Sequence, residues 1–95
     1  MIGSIVNKRS GEPYDIYAGR PSILGNPFII GRDGTREEVI DKYEVYARDR
    51  IARDPVFREA ILACYGKRVA CWCDPLACHV RVVLQLAQEL KEALR

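Results

Sequence analysis

The segment Lys67-Arg68-Val69-Ala70-Cys71-Trp72-Cys73 constrains this chain more than any other. It is a largely apolar run closed by Gly66 on one side and Asp74-Pro75 on the other, which is the pattern of a short buried strand. From Pro75 onward Val80, Val83, Leu84, Ala87, Leu90 and Leu94 recur at helical spacing. The strand therefore feeds into a closing helix whose apolar stripe must find a core. A buried strand coupled to an amphipathic helix points to a sheet with helices packed on it.

The upstream residues supply the rest of that architecture. Ser4 to Arg9 carries the β-branched pair Ile5-Val6, and Tyr14-Asp15-Ile16-Tyr17-Ala18 follows after the turn cluster Ser10-Gly11-Glu12-Pro13. Two short strands around a Gly/Pro turn predict a hairpin. The stretch from Gly19 to Phe28 holds two glycines, two prolines and Asn26, so it predicts an ordered loop, with a third short strand at Phe28-Ile29-Ile30. Thr35 and Glu38 form a capping box ahead of a stripe of Val39, Ile40, Tyr43, Tyr46, Ala47 and Ile51. Asp54-Pro55 is an N-cap followed by proline in the first helical position, and this second helix stops near Tyr65-Gly66. The expected order is β-β-(β)-α-α-β-α: an α/β domain with a mixed sheet of three to four strands and about three helices.

Composition narrows what such a domain can do. Ninety-five residues make one domain, residues 1–95, with a modest core, and a hydrophobic share of 48% argues against disorder. Fifteen basic against thirteen acidic residues leave a net charge of +2, too mild to predict nucleic-acid binding from bulk charge. Any anion site must come from local arrangement. No apolar run approaches the ~20 residues that span a bilayer, and the N-terminus lacks a signal-peptide core, so no membrane association is expected. Ile2 stands where N-myristoylation needs glycine. The expected setting is the cytoplasm, where four cysteines serve as thiols, metal ligands or catalysts rather than disulfides. Self-association into a homo-oligomer is left open.

The densest chemical vocabulary is Cys71-Trp72-Cys73-Asp74-Pro75-Leu76-Ala77-Cys78-His79, with three of the four cysteines and the single histidine. Cys71 and Cys73 fall on one face of the strand, and Cys78 and His79 fall near the start of the next helix. Ligands of open α/β sheets gather outside the carboxyl ends of strands, and a helix N-terminus there favours anions and thiolates. Three readings compete. The cysteines are small buried hydrophobes with a satisfied His79. Alternatively, Cys71, Cys73, Cys78 and His79 hold zinc, although Cys-x-Cys and an adjacent Cys-His are tighter than the usual spacers. In the third, Cys78 or Cys73 is a reactive thiolate assisted by His79 or by the field of the helix start. Cys64, outside the cluster, is read as packing.

A second patch lies in the Gly19–Phe28 loop. Arg20 offers a planar fork matched to phosphate or carboxylate, Ser22 a hydroxyl, and Asn26 the donor–acceptor pair that nucleobase edges require. Arg9 and Lys8 could add positive charge, although a solvated strand end is the plainer reading. A structural loop with a solvated Arg20 is the alternative.

Together these residues resemble a known family. Asn7-x-Arg9, Tyr14-Asp15-x-Tyr17-x-Gly19-Arg20, Gly25-Asn26-Pro27-Phe28, Gly34 to Ile40 and Cys71-Trp72-Cys73-x-Pro75-x-x-Cys78-His79 resemble domain of unknown function 4326, in order over nearly the whole chain. The Cys-His ending also resembles domain of unknown function 488. Members of the first family occur often in phage and bacterial genomes, and the resemblance implies nucleotide or nucleic-acid metabolism as the setting. Two positions depart from the family pattern. Leu24 replaces a frequent aromatic, and Val80-Arg81 stands where a small residue and Asp are usual, which removes any acid–base role for that Asp. The expected function is binding of a phosphate-bearing nucleotide or nucleic-acid end, held by Arg20 and the helix start near Pro75. A thiol-dependent reaction would use Cys78 or Cys73 with His79. The rival is a non-catalytic nucleic-acid or protein-binding module with zinc or purely structural cysteines.

Overall fold

A computed structural model describes residues 3–72 and 78–94. Its elements are β1 (Ser4–Asn7), β2 (Ile16–Tyr17), α1 (Arg36–Arg53), α2 (Pro55–Leu62), β3 (Arg68–Cys71) and α3 (Val80–Ala93), with a 3-10 turn over Lys8–Ser10. The α/β class, the three helices and the β-β-α-α-β-α order agree with the expectation from the residue pattern.

The sheet order is β1-β3-β2, and both pairings are parallel. The expected hairpin is therefore corrected: β1 and β2 do not pair with each other but flank β3. The sheet is parallel rather than mixed. The physical reason lies in β3, whose Val69, Ala70 and Cys71 are essentially inaccessible to solvent. Such a run gains most in the central position, where neighbours satisfy both of its edges. The local Gly/Pro turn is outweighed by this, and the chain crosses from β1 to β2 by way of the 3-10 turn. The third strand at Phe28–Ile30 is reduced to a single bridge between Ile30 and Gly34.

The helices form as their caps dictate. The Thr35 hydroxyl accepts from the Glu38 N–H while the Glu38 carboxylate accepts from the Thr35 N–H, which completes the capping box. Asp54 accepts from the N–H groups of Val56 and Phe57 and so starts α2 behind Pro55. Helix α3 contacts β1 and β3 as well as α1 and α2, and joins the sheet to the other helices. Its buried face is Val80, Val82, Val83, Leu84, Leu86 and Ala87. Tyr43, Phe57, Ile61 and Val69 complete the core. Among the described residues, no helix is long and apolar enough to cross a membrane.

Candidate functional site

A parallel sheet brings every strand's carboxyl end to the same edge. Here that edge collects Lys8 and Arg9 after β1, Gly19 and Arg20 just beyond β2, and Trp72 after β3. Beside it lies a cavity of about 520 Å3. One wall is the loop with Gly19, Arg20 and Asn26, and another is β3 and the segment before α3, with Cys71, Trp72, Cys78 and His79. Phe28, Ile29 and Ile30 and the first turns of α1, with Arg36, Val39 and Ile40, close the rest. Two arginines line it, and no carboxylate does among the described residues. The two patches singled out in the sequence thus face one space.

His79 ties these walls together. Its Nε2 lies 2.9 Å from the Ala18 carbonyl and 3.1 Å from the Leu24 carbonyl, both acceptors, so Nε2 carries the proton and donates to both. The Tyr43 hydroxyl donates to the same Leu24 carbonyl at 2.8 Å, and its ring packs edge-on against the imidazole. Burial pulls the His79 pKa below its ordinary value, since the charged form loses its hydration. The ring is therefore neutral at pH 7, with the lone pair on Nδ1. Cys78 Sγ lies 3.7 Å from that nitrogen, and its thiol is directed at Cys71 Sγ 2.9 Å away. Both cysteines are buried, Cys78 at 4% exposure against the cavity.

Asn26 is engaged at both ends. Its Nδ2 donates to the Val39 carbonyl at 3.1 Å, and its Oδ1 accepts from the Phe28 N–H at 2.9 Å. It locks the loop to α1, and only its second N–H and second lone pair remain for a ligand. Ser22 does not line the cavity, and its buried hydroxyl has no partner among the described residues. Arg9 also lies off the cavity, with its guanidinium 5.8 Å from the Trp72 ring. Arg20 is exposed and lines the cavity.

The helix start differs from the expectation. Helix α3 begins at Val80, not near Pro75, and the N–H groups of Arg81, Val82 and Val83 already donate to the Cys78 and His79 carbonyls. The anion site expected near Pro75 falls on residues outside the described ones, while the first N–H groups of α3 are engaged within its own turn. Arg81 pairs with Glu37 of α1.

Cys73, expected as a nucleophile or metal ligand, lies outside the described residues, as do residues 74–77. Among the described residues, no group of three or more His, Cys, Asp or Glu side chains could hold a metal ion. The His79 tautomer would suit zinc, with Nδ1 toward the metal and Nε2–H on carbonyls. The sulfur pair suits it less, since tetrahedral zinc with ~2.3 Å bonds sets two sulfurs about 3.8 Å apart. Cys64 is fully buried and its thiol is pushed up to about 11 by desolvation, as packing requires.

Reading the sequence missed the aromatic and aliphatic parts of the wall. Trp72, Ile29 and Ile30 are each more than a third exposed. Large apolar residues left in solvent at a strand end and in a Pro-rich loop were the available signal.

The model of one family, described as domain of unknown function (DUF4326), matches residues 5–89. The likeness of the Cys-His ending to domain of unknown function 488 is not shown by that match. No curated protein and no solved structure matches the chain.

Proposed function

The chain belongs to the family of domain of unknown function DUF4326, and we propose that it binds a phosphate-bearing nucleotide or nucleic-acid end in the cavity beside the strand ends. The observation that carries this reading is the cavity lining: Arg20 and Arg36 with aromatic and aliphatic side chains and, among the described residues, no carboxylate. A ligand suited to that lining has an anionic group and a flat apolar part, as a nucleotide does. A volume of about 520 Å3 falls within the roughly 300–1,000 Å3 of small-molecule sites. Arg20 supplies a guanidinium fork for phosphate, and Trp72 and Phe28 supply flat surfaces for a base.

The Cys78 thiol meets the same space. With Nε2–H held by two carbonyls, His79 Nδ1 is the basic atom that would accept the Cys78 proton and leave a thiolate facing the ligand. The non-catalytic reading keeps the same ligand and leaves the thiol as packing.

Calorimetric titration with a nucleoside 5′-monophosphate and with the matching nucleoside tests the proposal. The nucleotide should bind more tightly, and Arg20→Ala should cost roughly tenfold or more in its affinity, the usual range for a charge-assisted hydrogen bond. Equal binding of nucleotide and nucleoside, or an Arg20→Ala protein that binds as tightly as the parent, would overturn it.

A further inference from the structure

The edge that carries the cavity continues past it. Lys8 Nζ sits 4.7 Å from the Tyr17 ring centre, 5.2 Å from that of Trp72 and 5.8 Å from that of Tyr14. Arg9 approaches Trp72 from the same strand end. The Trp72 indole N–H donates to the Tyr17 hydroxyl at 3.1 Å, and that hydroxyl donates to the Arg20 carbonyl, which fixes the two rings against the cavity loop. Trp72 is nevertheless 48% exposed and Tyr14 39%. Neither Lys8 nor Arg9 forms an ion pair among the described residues, whereas Arg32, Arg48, Arg50, Arg53, Arg68 and Arg81 elsewhere in the chain do. Aromatic faces interleaved with cations that no described carboxylate neutralises match the chemistry of a backbone-following, base-stacking surface. Tyr17 and Trp72 belong both to this platform and to the cavity lining, so the two are continuous.

We infer that the ligand is a single-stranded nucleic acid rather than a free nucleotide. One nucleotide occupies the cavity near Arg20, and the adjoining ones lie across the platform, with a base on Trp72 and phosphates on Lys8 and Arg9. The inference rests on the cavity being a nucleotide site and adds the direction in which the chain leaves it. Stacking on exposed rings tolerates any base, so little sequence preference is expected. The length of the track is set by the strand ends: Arg20 follows β2, Trp72 follows central β3, and Lys8 and Arg9 follow β1 on the far side.

Trp72 is the single tryptophan of the chain, so its fluorescence reports the junction of platform and cavity. The probes are a short oligothymidylate, thymidine 5′-monophosphate and a polyglutamate peptide of similar charge. The oligonucleotide should quench Trp72 and bind at least tenfold more tightly than the mononucleotide, because stacking adds roughly fivefold or more per base. Trp72→Ala should abolish that advantage. Because Trp72 also lines the cavity, the mononucleotide control is Lys8→Gln, which lies off the cavity and should leave mononucleotide binding within about threefold, a change smaller than the loss of one stacked base. Trp72→Phe, which keeps a stacking face, should retain most of the oligonucleotide's advantage. Lys8→Gln should weaken the oligonucleotide and reduce the slope of log affinity against log salt by about 0.7. An oligonucleotide that binds no better than the mononucleotide, or whose advantage survives both Trp72→Ala and Lys8→Gln, overturns the inference and leaves the nucleotide site standing. Polyglutamate that binds as tightly as the oligonucleotide also overturns it. Absence of binding by both nucleotide probes removes the cavity reading as well.

Discussion

The proton on His79 is fixed by its surroundings, since two backbone carbonyls claim Nε2 and leave Nδ1 as the basic atom beside Cys78. Two measurable consequences follow at this scale. Burial holds the folded-state pKa of His79 below that of the unfolded chain, near 6.5. Below about pH 6.5 the unfolded state therefore binds more protons than the folded one, and stability falls as pH falls toward the folded pKa. His79 is the one histidine, and the perturbed carboxylates titrate lower, with Asp15 held at about 2 by its pairing with Arg68. Urea melts between about pH 7 and 5, the range around an ordinary histidine, should lose stability steadily, and His79→Gln should flatten that dependence. A parent protein with constant stability over that range would contradict the buried neutral ring. The second consequence concerns the thiols. Iodoacetamide followed by mass spectrometry should label Cys78 before Cys64, whose thiol burial has pushed up to about 11, and His79→Ala should slow the labelling. Protein in which Cys78 stays unlabelled would reduce the cluster to packing or metal, and elemental analysis for zinc separates those two.

At the scale of elements, the helices were legible because their signals are local. The Thr35–Glu38 box, the Asp54-Pro55 start and the stripe of α3 each lie within a few residues of the structure they specify. Leu84 on that stripe is 4% exposed, so Leu84→Ala should cost about 2–5 kcal/mol in denaturant melts. A loss under about half a kcal/mol, the range of surface changes, would place the helix elsewhere. Removing the Asp54 side chain should cost about 1 kcal/mol through the loss of two bonds at the start of α2. The strands were harder. Gly11 and Pro13 between β1 and β2 point to a hairpin, but partner choice is a long-range matter, decided by where the most apolar strand gains most. Nothing within Ser4–Tyr17 shows that β3, some fifty residues later, will insert between its two strands.

That single topological difference governs how much of the site could be read at the scale of the whole molecule. Arg20, Asn26, Cys78 and His79 were legible as chemistry, and they do line one cavity. In an antiparallel hairpin, Lys8 and Arg9 would sit beside the start of β2 and read as a solvated strand end. In the parallel sheet they reach the edge that carries Trp72 and Tyr17. Donor capacity alone points to Ser22 and to a helix start near Pro75, whereas Ser22 does not line the cavity and α3 begins at Val80. In the proposed function, the cavity at the strand ends takes a nucleotide phosphate on Arg20. Amide NMR during titration with a nucleoside 5′-monophosphate tests it most directly, because it reports location and affinity together. Shifts should concentrate at Gly19, Arg20, Trp72, Cys78 and His79 and be lost in Arg20→Ala. Shifts confined to other surfaces, or none at millimolar nucleotide, would contradict it.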